Sequence, residues 1–130
     1  MDLNESSSRE EILNHIKIYP FNFLNNFSDK TWAQPYIGEA AKEVIEADPY
    51  HFLHYFSNKP WAEIYTEEAA KGAARKNPER FLEKYANRFP QGIGEAANES
   101  PKYFLENWAA RFPHHINFAL FALGNENVFK

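Results

Sequence analysis

The sequence contains no cysteine. Disulfides, thiol nucleophiles, iron–sulfur clusters and cysteine-ligated zinc are therefore excluded. Positive charge is not in excess either: 14 Lys and Arg stand against 18 Asp and Glu, a net charge of −4. The electrostatic footprint of a nucleic-acid binder, or of a protein drawn to anionic lipid, is missing, so neither nucleic acid nor membrane is expected as a partner. No apolar run approaches the roughly 20 residues that span a bilayer. The five glycines form no phosphate-cradling loop, and the serines form no nucleophile elbow. The start, Met1 to Ser8, is polar and acidic, unlike a secretory signal, and a cytoplasmic location is the expectation.

What the chain does have is aromatic side chains. Twelve Phe, seven Tyr and three Trp stand in 130 residues. Each can bury ~150–250 Å², enough for a short chain to build a substantial core. Their placement is periodic. Pro-x-x-Phe-Leu occurs at Pro20, Pro49, Pro78 and Pro101, with spacings of 29, 29 and 23. Three residues after each Leu stands another aromatic: Phe27, Phe56, Tyr85 and Trp108. A second block, Glu-Ala-Ala, recurs at Glu39, Glu68 and Glu95. Trp32-Ala33 and Trp61-Ala62, with Tyr36 and Tyr65, also fall in register. The pattern is that of an internal repeat.

Each unit reads as two helices. Counted from the proline, the Phe, Leu and following aromatic stand at i+3, i+4 and i+7, one helical face. Asp48, Asn77 and Ser100 each place a capping oxygen before a proline at the first helical position, whereas Tyr19 before Pro20 does not. The second helix carries Glu-Ala-Ala. At ~100° per residue, Trp32, Ala33, Tyr36, Ile37, Ala40, Val44 and Ala47 form one apolar stripe, repeated by Trp61, Ala62, Tyr65, Ala69 and Ala73. Paired alanines suit close helix approach, opposite bulky rings on the neighbouring helix.

The ends differ. Ser8-Arg9-Glu10-Glu11 is a capping box opening a helix through Ile12, Leu13 and Ile16, in the second-helix slot of a half unit. Gly92 and Gly94 predict a short or irregular second helix in the third unit. The last helix is expected from Pro113 to Leu123, stopped by Gly124-Asn125, and is apolar nearly all round. The expected fold is all-α, an α-solenoid of about four two-helix repeats. A disordered tail is expected over 1–7, a single domain over 8–124 and a C-terminal tail over 125–130.

The run from Glu39-Ala40-Ala41 to Asp48-Pro49 resembles the short HEAT-like repeats of the phycobilisome-lyase type, as do Glu68 to Asn77-Pro78 and Glu95 to Ser100-Pro101. The likeness covers about residues 8–123. These units are shorter, lack the arginine usual ahead of the alanines, and carry Phe-Leu in place of plain aliphatics. The resemblance implies an interaction scaffold with a binding surface; a minority of the family is linked to lyase chemistry.

Candidate chemistry is sparse. His51 and His54, three apart on a first helix, lack the i, i+4 spacing and third ligand of helix-borne zinc motifs, and their counterparts Asn22 and Asn25, or Arg80 and Glu83, suit a solvated face. His114 and His115 point ~100° apart and suit a cap or the surface. No metal, cofactor or catalytic group is expected. Glu39, Glu68 and Glu95 share one slot. They either form an acidic line for a basic or amide-rich partner or support their helices through i, i+3 pairs with Lys42 and Lys71. Tyr36 and Tyr65 accompany them, with the Trp rings expected in the core and the Tyr hydroxyls at its rim. The leading expectation is a non-enzymatic module that binds a protein or peptide partner through Tyr36, Glu39, Tyr65, Glu68 and Glu95. The alternative is a structural domain that dimerises through Ile116, Leu120 and Leu123, extended by Val128 and Phe129, or belongs to a longer solenoid. An enzyme ranks third.

Overall fold

A computed structural model describes residues 3–128, with side chains through Gly124; Met1, Asp2, Phe129 and Lys130 lie outside it. The described chain is all-helical, with no strand among those residues. The α-helices are α1 (Arg9–Ile18), α2 (Pro20–Phe27), α3 (Ile37–Ala47), α4 (Pro49–Tyr55), α5 (Glu63–Lys76), α6 (Pro78–Lys84), α7 (Ile93–Glu99), α8 (Pro101–Asn107) and α9 (Ile116–Val128). Short 3-10 segments precede three of them: Thr31–Tyr36, Pro90–Gly92 and Pro113–His115.

The helix ends follow from local chemistry. One residue, Tyr19, Asp48, Asn77 or Ser100, ends one helix and caps the next. The residue before proline is pushed out of the α region, and proline brings no N–H to the ladder, so the chain turns sharply there. Asp48 and Asn77 each accept a 3.1 Å hydrogen bond, from the backbone N–H of His51 and Arg80. Ser100 makes no such bond, although its position is the same. Ser8 and Glu11 form both arms of the capping box at 3.1 Å.

The second helices start later than the apolar stripe predicts. Trp32, Ala33 and Tyr36 lie in the 3-10 segment, where Pro35 forbids a regular α-helical ladder. The stripe is also too narrow. Ala47 is exposed, while Ala41 and Ile45 beside it are buried. Ala40-Ala41, Ala69-Ala70 and Ala96-Ala97 are all at 0 % exposure, because the second helices are covered on more than one side.

Packing runs between neighbours. α2 packs on α3, α4 on α5, α6 on α7 and α8 on α9, and each of α1, α3, α5 and α7 also packs on the short helix that follows it. The row α1, α3, α5, α7, α9 lies side by side. Phe23, Phe52, Phe81 and Phe104, one per proline-led helix, are fully buried. Each such ring stabilises the fold by about 2–3 kcal/mol. Polar struts join successive units. Arg88 donates to Ser57 at 3.3 Å and Arg111 to Asn87 at 3.1 Å. Lys76 donates to the Ala47 carbonyl at 3.2 Å, where the α3 dipole favours a cation. The two arginines belong to a recurrence, Arg88-Phe89-Pro90 and Arg111-Phe112-Pro113, that the Pro-x-x-Phe-Leu pattern leaves out.

Both ends depart from expectation. Within the stretch expected as a tail, Leu3 is 5 % exposed against the core, and Asn4 and Ser7 close a turn through mutual hydrogen bonds. At the other end the helix starts at Ile116, not Pro113, and passes through Gly124 to Val128. A glycine costs a helix about 1 kcal/mol but ends it only when it turns left-handed, and no described glycine has a positive φ. α7 has seven residues, short as its glycines predict.

Candidate functional site

The α1, α3, α5, α7, α9 row leaves grooves between successive members. One of them, about 590 Å³, lies between α1 and α3. Leu13 and the buried Ile16 form its apolar floor. Arg9 and Lys17 stand on the α1 wall with Glu10, and Glu39 and Glu43 on the α3 wall. Glu39 and Glu43 are one helical turn apart, so both carboxylates point into the same cleft. Three acids thus stand against two bases, arranged mainly by wall.

The next groove, about 310 Å³ between α3 and α5, is bordered by Glu46, Glu68, Arg75 and Lys76. A third, about 500 Å³, runs between α5, α7 and α9 past Lys71, Glu95, His115 and Phe118. The three glutamates of the Glu-Ala-Ala blocks therefore each line a groove of this row. They do not form an unbroken acidic line. Arg75 sits 3.8 Å from Glu95 and shares a groove with Glu68. Sequence comparison of the units already contains this reversal, since Arg75 stands 29 residues after Glu46, in the same slot. The i, i+3 pairs expected of Glu39 with Lys42 and Glu68 with Lys71 give way to one i, i+4 pair, Glu67 with Lys71 at 3.1 Å.

Tyr36 and Tyr65 stand apart from the grooves. Both are half-buried against the core. The Tyr65 hydroxyl lies so close to Gly38 that a β-carbon there would meet it at 3.1 Å. Trp32 packs edge-on to Phe23, and Trp61 packs edge-on to Phe52. Leu13, Glu43 and Arg75 complete the groove lining, and single-unit inspection misses them because they sit on α1 or outside the repeated block.

His51 and His115 are less solvated than a surface reading predicts, whereas His54 and His114 are exposed as expected. His51 is half-buried, with its ring 4.2 Å from Phe21 and 4.4 Å from Tyr55. Burial pushes its imidazole below the usual value, an effect that Asp48 opposes and His54 reinforces. His54 is exposed beside Tyr55. His115 is stacked on Phe118, and burial lowers its pKa too, with His114 adding to the effect. Among the described residues no three His, Asp or Glu side chains are grouped to hold a metal ion, and no helix is long and apolar enough to cross a membrane.

Of the residues expected for self-association, Leu120 is 51 % exposed, while Ile116 and Leu123 are half-buried. Phe118 at 53 % and Phe121 at 70 % are also exposed on α9. Val128 and Phe129 lie outside the described side chains. No protein-family model, no curated protein and no solved structure matches this chain.

Proposed function

We propose that this chain is a non-catalytic interaction module, an α-solenoid of helix pairs that holds an extended protein or peptide segment across its second-helix row. Two features support the solenoid reading: neighbour-to-neighbour packing, and equivalent buried Phe residues in all four units. Surfaces of that kind suit extended partners. The likeness to HEAT-like repeats points the same way.

The observation that carries the proposal is the α1–α3 cleft, with an apolar floor between walls of opposite charge. An aliphatic side chain of the partner fills the floor above Leu13 and Ile16. A basic side chain of the partner meets Glu39 and Glu43. Glu68 and Glu95, partly neutralised by Arg75, contribute to placement more than to attraction.

A random peptide library displayed against the protein tests this. Peptides pairing a basic with an aliphatic residue should be enriched. Their affinity should drop about tenfold or more in the Glu39→Lys, Glu43→Lys double variant, and stay unchanged in Glu106→Lys on α8. Absence of enrichment, or binding indifferent to the double variant, removes the proposal.

A further inference from the structure

The junction between α4 and α6 departs from its neighbours in the first-helix row. Each junction brings the residue one or five past the proline of one unit to the residue two past the proline of the next. Between α2 and α4, the Phe21 ring lies 4.2 Å from His51. Between α6 and α8, Glu83 accepts a 3.1 Å hydrogen bond from the Tyr103 hydroxyl. Between α4 and α6, the Arg80 guanidinium lies 4.4 Å over the Tyr50 ring, and the slot of Glu83 holds His54. A cleft of about 300 Å³ opens at this junction. His51, His54 and Tyr55 line its α4 side, and Arg80 and Tyr85 its α6 side.

We propose that this cleft binds a phosphomonoester carried on an aromatic ring. Stacking on Tyr50 holds the guanidinium by its face and leaves the N–H fork at its edge for an anion. Tyr50 is itself anchored: it is 7 % exposed, and its hydroxyl donates to the Asn77 carbonyl. Arg80 joins no ion pair among the described residues. Donor groups stand on both walls, the two imidazoles and the Tyr55 hydroxyl against the guanidinium and the Tyr85 hydroxyl. One guanidinium fork uses up a planar carboxylate. A phosphomonoester carries about −1.5 to −2 charge and three acceptor oxygens, so it reaches both walls. The volume lies at the lower end of the ~300–1,000 Å³ of ligand pockets, which admits one such group and not a length of chain. The Tyr55 ring, 57 % exposed, offers the ligand ring a surface to cover. Asp48 also lines the cleft and opposes an anion, but its carboxylate accepts the His51 backbone N–H at 3.1 Å, which offsets part of its charge. The site does not rest on the α1–α3 cleft, and the two stand or fall separately.

Titration with phenyl phosphate to about 10 mM, followed by NMR, tests it. Resonances of His51, His54, Tyr55 and Arg80 should shift and saturate. Inorganic phosphate and benzoate should each bind about tenfold more weakly or worse. Arg80→Gln should weaken phenyl phosphate about tenfold or more with its helical circular dichroism intact, and Arg80→Lys, which keeps the charge without the fork, should recover only part of the loss. His54→Ala, at an exposed position, should also weaken binding and serves as the test if Arg80→Gln fails to fold. Arg9→Gln, on α1, should change nothing. A phosphotyrosine peptide separates the sources. Tighter binding than phenyl phosphate puts the group on a protein partner, equal or weaker binding makes it a free small molecule, and both support the site. The absence of a saturable shift overturns the proposal. So does benzoate or inorganic phosphate matching phenyl phosphate, or binding indifferent to the Arg80 and His54 variants.

Discussion

Replacing Gly92 with alanine probes the glycine at which an added β-carbon has the least room. Gly92 ends the 3-10 segment ahead of α7, with φ −91° and ψ −7°. Alanine adopts that backbone freely, so conformational strain plays no part. Space decides the outcome. A β-carbon at Gly92 would lie 2.4 Å from Phe81 Cζ and 2.8 Å from the Ala70 carbonyl oxygen. The Phe81 ring is fully buried, and the carbonyl is held within α5, so neither can step aside cheaply. Overpacking of this kind costs about 1–3 kcal/mol, while losing the glycine returns about 0.4–1 kcal/mol through the unfolded state. The net loss is about 1–2 kcal/mol, a fall in Tm of roughly 5 °C for a chain of this size. Gly72→Ala serves as the counter-test. Its β-carbon would sit 3.5 Å from Pro49, an ordinary contact, in the interior of α5. It should stabilise by about 0.5–1 kcal/mol. Thermal unfolding followed by far-ultraviolet circular dichroism separates the two. A Gly92→Ala protein as stable as the parent, or both variants shifting the same way, would refute the reasoning.

Asp48→Ala and Asn77→Ala should each lose about 1 kcal/mol in urea unfolding, and Ser100→Ala only a few tenths, because only the first two side chains bond the backbone. Equal losses at all three would contradict the observed caps. Phe52→Ala should cost about 3–5 kcal/mol, a large share of the 5–15 kcal/mol typical of a domain; a midpoint shift under 1 kcal/mol would show that the ring is not enclosed. Burial pushes the Tyr50 hydroxyl up to about 12, with the Arg80 guanidinium 4.4 Å over its ring pulling the other way. The unfolded chain ionises this group near 10, so its contribution is complete below pH 10 and disappears as pH climbs toward 12. Tyr50→Phe should flatten that part of the Tm-against-pH curve, and an unchanged slope would count against it. His51 behaves in the opposite sense. Its lowered pKa gives stability that is present above about 6.5 and is lost as pH falls below that value. Proton NMR should find its titration midpoint under 6.5; a midpoint at or above it would mean an imidazole more solvated than the packing shows.

Much of the helical layout was legible because proline and its capping partner act locally. Asp48-Pro49 and Asn77-Pro78 set helix boundaries whatever surrounds them. The buried Phe at each Pro-x-x-Phe-Leu followed from one helical face. The 3-10 segment before α3 was legible only through Pro35, a signal outweighed by the Trp32 to Ala47 periodicity. Periodicity also hid the second buried side of α3, because Ala41 is too small to register as a core residue. The grooves were partly legible. Glu39, Glu68 and Glu95 recur visibly, but the pairing of Arg75 with Glu95 depends on the distance between two helices, which no single unit encodes. Exposure of Phe118 and Phe121 was likewise out of reach, since α9 is apolar all round and its free side depends on what packs beside it.

The side-chain hydrogen bonds that link units span at most 31 residues of sequence, as from Arg88 to Ser57. No side-chain hydrogen bond or ion pair among the described residues ties the first third of the chain to its last. On the proposed solenoid reading, a molecule pulled from its ends should give way in instalments, one hairpin of helices after another. Lengthening or trimming it by a whole pair should preserve the remaining junctions, as removing a vertebra shortens a spine without redesigning the joints.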